Sequence, residues 1–399
     1  MRWIHATTPA ELAHKAKLIE KIDAWWRAFT DHADQIDAMY EHGSAFDEVG
    51  FMRTHLEAQL PVKAWEYGPA HNKAGHRLCI TPAGRHELRP FFHELIERAP
   101  KLERWEFYPS LLQEEPEQAL RNVKSRCKID ASEWQVEIAR LGVKLDLTWY
   151  GPESVEQAGE DVRAATLIAT EALLGEERLD RWVGPIDFKQ GTPVVTIGKD
   201  EPSFVVPFAH LPSQAAELLD ETRSHLPEQP WHIHLPEDGP GDVVTFKLQE
   251  EYDAEFMGDL LVGRCAIPGL LVECWRGHFS PLAFSKCEET FACIQITREE
   301  AWLDDLIVET RAALEDDLDA ALRESSSGCV VGGGTGKRFL YTIVALSNLD
   351  AALEVLREWA LCVSLPRATW LRFCDTYLQG EWIGLLDETL PPPDFREEV

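Results

Sequence analysis

Two stretches of the sequence combine residue type and spacing in ways that chemistry uses. GGGTGK, at 332–337, is the kind of glycine-rich segment whose backbone N–H groups cradle phosphates in nucleotide-binding loops. PWHIHLP, at 230–236, sets His232 and His234 two residues apart, so that on a strand both imidazoles share a face and are candidate ligands for zinc or a similar ion. The first candidate fails on counting. A phosphate loop of the form G-x-x-x-x-G-K-[ST] that ends at Gly336 and Lys337 needs glycine at position 331 and a hydroxyl at 338, where the chain has Val331 and Arg338. The loop must also open a helix, and RFLYTIVAL is aromatic and β-branched, which predicts a strand. The stretch therefore reads as a β-hairpin whose glycines supply positive φ, leaving Lys337 and Arg338 as candidate contacts for an anion or an acidic partner. The histidine pair lacks a third ligand at any diagnostic spacing, and His210 and His225 lie outside any motif.

Other catalytic patterns are absent. There is no G-x-S-x-G and no C-x-x-C, and the nine scattered cysteines read as buried free thiols of a reducing compartment. His86-Glu87 and His93-Glu94 recur seven apart and read as one solvated helix face, while HNKAGH at 71–76 reads as a polar hairpin tip. No cofactor and no catalytic residue is assigned.

The elements that must position these residues follow from periodicity. Thr8, Pro9 and Glu11 start a helix continued by Leu18, Ile22, Trp25, Trp26 and Phe29; a second helix at 46–60 completes an N-terminal helical hairpin. Three strand-helix-strand units follow, RLCIT to RWEFYP, SFVVPF to PWHIHLP, and KRFLYTIVAL to TWLRFC, closed by Trp105, Trp231 and Trp370. Added strands are WQVEIA with VKLDLTWY as a hairpin, then VVTFKLQ, LLVGRCAI and LLVECWR; long helices are expected at 154–174 and 298–323. The fold class is α+β: two two-layer α/β sandwich domains of ferredoxin-like character, 1–190 and 191–399, divided at the turn-rich PIDFKQGTPVV.

Composition narrows function. The 399-residue chain carries 69 acidic and 39 basic residues, a formal −30, with no basic cluster visible, which argues against nucleic acid. No segment has the length of apolar residues a membrane span needs, and the start lacks a secretory pattern, so the expected location is the cytoplasm.

The C-terminal run, with LDDLIVETRAALEDDLDAAL, VVGGGTGKRFLYTIVAL, NLDAALEVLREWAL and TWLRF before EWIGLLDETLPPP, resembles a bacterial domain of unknown function, number 695. The resemblance covers about a hundred residues. It implies an α+β fold in a bacterial cytosolic protein and transfers no catalytic residue. The sequence thus points to a non-enzymatic protein that works through contacts with a basic partner, as an inhibitor, adaptor or immunity-like factor. The alternative is a metal- or small-molecule-binding enzyme with a site between the domains that uses His232 and His234.

Overall fold

The first element begins where its capping signal stands. Thr8 accepts the Glu11 N–H, Glu11 reaches back to the Thr8 N–H, and Pro9 fills the first turn. The resulting helix α1 (Pro9–His42) ends at Gly43, whose φ of 67° is left-handed. In the computed structural model, which describes residues 2–152, 159–193, 203–236, 242–245, 256–298 and 307–393, the chain is a mixed α+β protein that divides into two compact units, Met1–Glu217 and Leu218–Val399.

In the first unit α1 is followed by α2 (Glu48–Met52), capped by Asp47 and continued by one π-helical turn at Arg53–Glu57. Strands β1 (Ala64–Pro69) and β2 (His76–Thr81) pair antiparallel, and α3 (Arg89–Glu97) crosses over to β3 (Trp105–Tyr108), parallel to β2. Leu78, Ile80 and Trp105 bury one side of this sheet against Trp25, Trp26 and Phe29 of α1 and Phe91, Phe92 and Leu95 of α3. The alternate positions Glu66, Arg77, Cys79 and Thr81 give the other side a polar character. Then come α4 (Pro116–Cys127), β4 (Gln135–Leu141), β5 (Lys144–Gly151), α5 (Glu160–Leu174), α6 (Glu176–Trp182), β6 (Val183–Gln190) and β7 (Ser203–Pro207). They form a second sheet in the order β6-β5-β4-β7, with the β4–β5 hairpin turning at Gly142 as its sequence predicts.

Helix α7 (Leu211–Ser224) carries the division between the units. The expected boundary near residue 190 falls between β6 and β7, two strands that belong to one sheet.

The second unit contains α8 (Trp231–His234), β8 (Asp242–Thr245), β9 (Leu260–Cys265), α9 (Leu270–Arg276), β10 (Thr290–Thr297), α10 (Ile307–Glu324), β11 (Gly328–Gly336), β12 (Phe339–Leu346), α11 (Leu349–Cys362), β13 (Thr369–Phe373) and β14 (Trp382–Gly384). Its sheet runs β14-β13-β10-β12-β11-β9-β8. Ile294, Ile296, Leu340, Val344 and Leu371 face Leu318 and Leu322 of α10 and Leu356 and Ala360 of α11. Phe291, of opposite parity on β10, meets Phe279 at 5.3 Å between ring centroids. At Gly263 a Cβ would be only 2.5 Å from Leu271 of α9. Both faces are therefore covered, which explains why every residue of β12 is buried and why its sequence is a continuous apolar run. This sheet is the middle of three layers, not half of a two-layer sandwich.

Several expected elements change type. PWHIHLP is a single helical turn, not a strand, so the second strand-helix-strand unit is not completed. LLVECWR is the helix α9, entered through Gly269 at φ 76°; its buried Leu270, Leu271 and Cys274 have helical spacing, and a short apolar run does not by itself distinguish helix from buried strand. The third unit holds, but β10 lies between β12 and β13. The start of the helix expected at 298–323, the start of the one expected at 154–174 and the end of VVTFKLQ lie outside the described residues.

Candidate functional site

The glycine segment is strand and not turn. Gly332, Gly333, Gly334 and Gly336 all lie in β11, and none has positive φ; the hairpin turns at Lys337 and Arg338. What the missing side chains provide is close approach. A Cβ on Gly336 would stand 2.7 Å from the Asp259 carboxylate. That carboxylate accepts the N–H groups of Arg338 at 2.6 Å and Phe339 at 3.3 Å and the hydroxyl of Tyr341, while the Asp259 carbonyl accepts the Lys337 N–H at 3.1 Å. The turn thus does collect an anion, and it is the chain's own Asp259, buried at 1% exposure. Burial and this carboxylate hold the Tyr341 hydroxyl far above its ordinary pKa. The Lys337 side chain stays exposed, and the Arg338 guanidinium lies 5.8 Å over the Phe339 ring.

On the opposite face of the same strand Gly333 makes a second close approach. Arg311 and Glu315 sit one turn apart on α10, on the stripe that continues to Leu318 and Leu322, and form an ion pair at 3.0 Å. A Cβ on Gly333 would collide with the Glu315 carboxylate and come within 2.9 Å of Arg311 Nη1. A charged pair can face the sheet here because this strand position has no side chain. Burial pushes the Glu315 carboxyl up to about 7, against the opposing pull of Arg311 and Arg264. Cations from four elements meet at this corner: Arg264 on β9, Arg298 after β10, Arg311 on α10, and Lys337 and Arg338 in the β11–β12 turn. They are scattered over 75 positions of sequence, which is why no basic cluster is legible there.

The two predicted metal ligands do not pair. Two residues apart on a helix are about 200° apart around its axis. His232 Nδ1 lies 3.5 Å from the Ser347 hydroxyl, while the His234 ring packs edge-on against Trp231 at 5.5 Å. Among the described residues no group of three or more His, Cys, Asp or Glu is arranged to hold a metal ion. The one-turn helix is fixed at both ends instead. The Trp231 N–H donates to Glu289 at 2.9 Å, and Arg323 donates to the carbonyls of His232 at 2.7 Å and Leu235 at 3.1 Å. Glu289 also accepts the Ser285 hydroxyl at 2.6 Å and lines a cavity of about 320 Å³ with Ser285, Glu288, Phe291, Asp375 and Leu378. Burial raises its pKa, with the Ser285 and Trp231 hydrogen bonds opposing.

The first unit holds a buried ionic knot that no sequence motif announces. Arg89, 1% exposed, donates to Asp180 at 2.6 Å and to the Pro109 carbonyl at 2.8 Å, and pairs with Glu176 at 2.8 Å. Glu176 further accepts the Thr81 hydroxyl and the Leu111 N–H at 3.0 Å, and His86 Nδ1 stands 3.3 Å from Asp180. Burial pushes the Asp180 carboxyl up, but the His86 hydrogen bond and the Arg89 charge outweigh it and hold it below its ordinary value. His86 therefore belongs to a packed network and not to a solvated face. The signal was present: Arg89 lies on the same helical stripe as Phe92. Beside the knot, Arg77 bridges Glu66 at 3.2 Å and Glu114 at 3.6 Å, and burial lifts Glu171 to about 7.

No family model, curated protein or solved structure matches the chain. All nine cysteines are free thiols, seven of them buried, as expected. Among the described residues no helix is long and apolar enough to cross a membrane.

Proposed function

We propose that the protein works in the bacterial cytoplasm through contacts with a basic protein partner, as an acidic inhibitor, adaptor or immunity-like factor, and not through catalysis. The observation that supports this reading is where the basic side chains go. Arg2, Arg77, Arg89, Arg311 and Arg323 have side chains only 3%, 10%, 1%, 14% and 14% exposed, each held by a carboxylate. Cations drawn into internal pairs contribute less to the outward field, so an already acidic chain of formal charge −30 presents its surplus to solvent. Exposed carboxylates include Asp316, Asp317 and Glu324 on α10 and Asp350, Glu354 and Glu358 on α11. Such a field steers association with a positively charged surface and is screened by salt. The tryptophans add little to the proposal, since Trp25, Trp134, Trp149, Trp231 and Trp370 are buried in cores.

The test is recovery of the tagged full chain from its host at low and high salt, followed by reconstitution from purified components. A stoichiometric basic partner whose affinity falls steeply with salt is expected. A reconstituted complex insensitive to salt, or none at low salt, ends this reading.

A second reading rests on Glu289. Its buried carboxyl, raised in pKa beside a cavity of about 320 Å³, suits a small ligand with a hydrogen-bonding polar group. Glu289→Gln would abolish such binding, and an unchanged ligand profile would dismiss it.

A further inference from the structure

The cavity beside Glu289 carries charge of one sign. Glu288, Glu289 and Asp375 supply carboxyl groups, Leu282, Phe291 and Leu378 supply an apolar wall, and among the described residues no Lys, Arg or His lines it. The turn Pro281–Ala283, the segment leading into β10 and the turn Thr376–Leu378 after β13 bring these side chains together. Its volume of about 320 Å³ stands at the lower end for small-molecule pockets, which suits a compact ligand.

The carboxyl groups differ in what they already hold. Glu289 accepts the Trp231 N–H at 2.9 Å on one oxygen and the Ser285 hydroxyl at 2.6 Å on the other, and each oxygen keeps a second lone pair. Asp375 accepts the Tyr377 N–H at 3.0 Å through Oδ1, and Glu288 is exposed. Of the nearby cations, Lys286 pairs with Glu228, and His232 faces the Ser347 hydroxyl. Burial raises the Glu289 pKa, because the ionised carboxyl is poorly solvated there, and a cation in the cavity would relieve that cost.

We propose that this cavity binds a small organic cation, an ammonium group on a compact apolar body, with the cation against Glu289 and Asp375 and the body against Phe291 and Leu378. An ammonium has three donors and no acceptor, which matches a lining of carboxylates, and an anion there would meet three like charges. This assignment rests on the cavity being a small-ligand site, and it adds the sign of the ligand's charge. Buried apolar wall and carboxylates together separate the site from the acidic surface, which attracts any cation without holding its body.

The experiment is isothermal titration of the full chain at neutral pH and fixed ionic strength with three ligands of similar shape: phenylethylammonium, phenylethanol and phenylpropionate. The ammonium should bind about tenfold more tightly than the alcohol, the value of one charge-assisted hydrogen bond, and the carboxylate should not bind. Asp375→Asn keeps the oxygen that accepts the Tyr377 N–H and should weaken the ammonium about fivefold while leaving the alcohol unchanged. Leu378→Trp fills the cavity from its apolar wall and should abolish binding of both. Ammonium binding that survives Leu378→Trp belongs to the acidic surface and overturns the proposal. Alcohol bound as tightly as ammonium, or carboxylate bound more tightly than either, overturns the cation and leaves the cavity as a ligand site. No binding by any of the three at millimolar concentration removes both.

Discussion

Arg89, buried in the first unit, and Arg311, partly buried in the second, both face carboxylates, yet their surroundings differ. Around Arg89 the acceptors are numerous: Glu176, Asp180 and the Pro109 carbonyl converge on it, and Thr81, His86 and Leu111 engage the remaining carboxylate atoms. Around Arg311 a single carboxylate, Glu315, forms the ion pair at 3.0 Å, on a face where the strand glycine Gly333 leaves room for it. The difference shows in the carboxyls: its partners hold Asp180 below its ordinary pKa, while burial prevails at Glu315 and lifts it to about 7.

Breaking the matched network should have the largest effect. Arg89→Met leaves Glu176 and Asp180 buried without their cation and should cost about 3–5 kcal/mol in denaturant unfolding of the full chain. Gly333→Ala comes next. Its Cβ would meet the Glu315 carboxylate and stand 2.6 Å from the Tyr341 carbonyl, so a loss of about 1–3 kcal/mol is expected, with the Arg311–Glu315 pair displaced.

The third prediction concerns pH. Glu315 and Glu171 are both held near 7, above the ordinary carboxylate value of 4.5. A carboxyl raised in the folded state binds its proton more tightly there than when unfolded. Its contribution is therefore fully present below about 4.5 and is lost as pH rises through about 7. Stability should decline across that window and level off above it. Glu315→Gln should remove about 3 kcal/mol of that decline, measured by urea unfolding at several pH values. A slope unchanged in the variant would place the titrating group elsewhere. Thr8→Ala, which removes the capping box of α1, has a smaller expected effect, about 1 kcal/mol, read as a lower urea midpoint.

The elements with strong local signals were legible in the sequence. Thr8, Pro9 and Glu11 mark the start of α1, and the alternation in β4 and β5 marks their hairpin. The failure of the glycine segment as a nucleotide loop followed from Val331, Arg338 and the strand that comes next. What local pattern could not reveal was long-range. LLVECWR and PWHIHLP are short, and tertiary contacts, from Leu271 packing on Gly263 and from Glu289 and Arg323 gripping the turn at Trp231–His234, set their helical form. The anion in the β11–β12 turn comes from Asp259, nearly eighty positions earlier, and no spacing rule links the two. The meeting of Arg264, Arg298, Arg311 and Arg338 with Asp259 and Glu315 escapes the sequence for the same reason, since it forms only when β9, β10, β11 and α10 assemble.

The most direct measurement is urea unfolding of two variants, Glu176→Gln and Glu315→Gln, at pH 8. If the several partners of the first network hold the fold while burial disfavours the ionised Glu315, Glu176→Gln lowers the midpoint and Glu315→Gln keeps or raises it. The reverse pattern, a midpoint unchanged in Glu176→Gln and clearly lowered in Glu315→Gln, would contradict the distinction between the two regions.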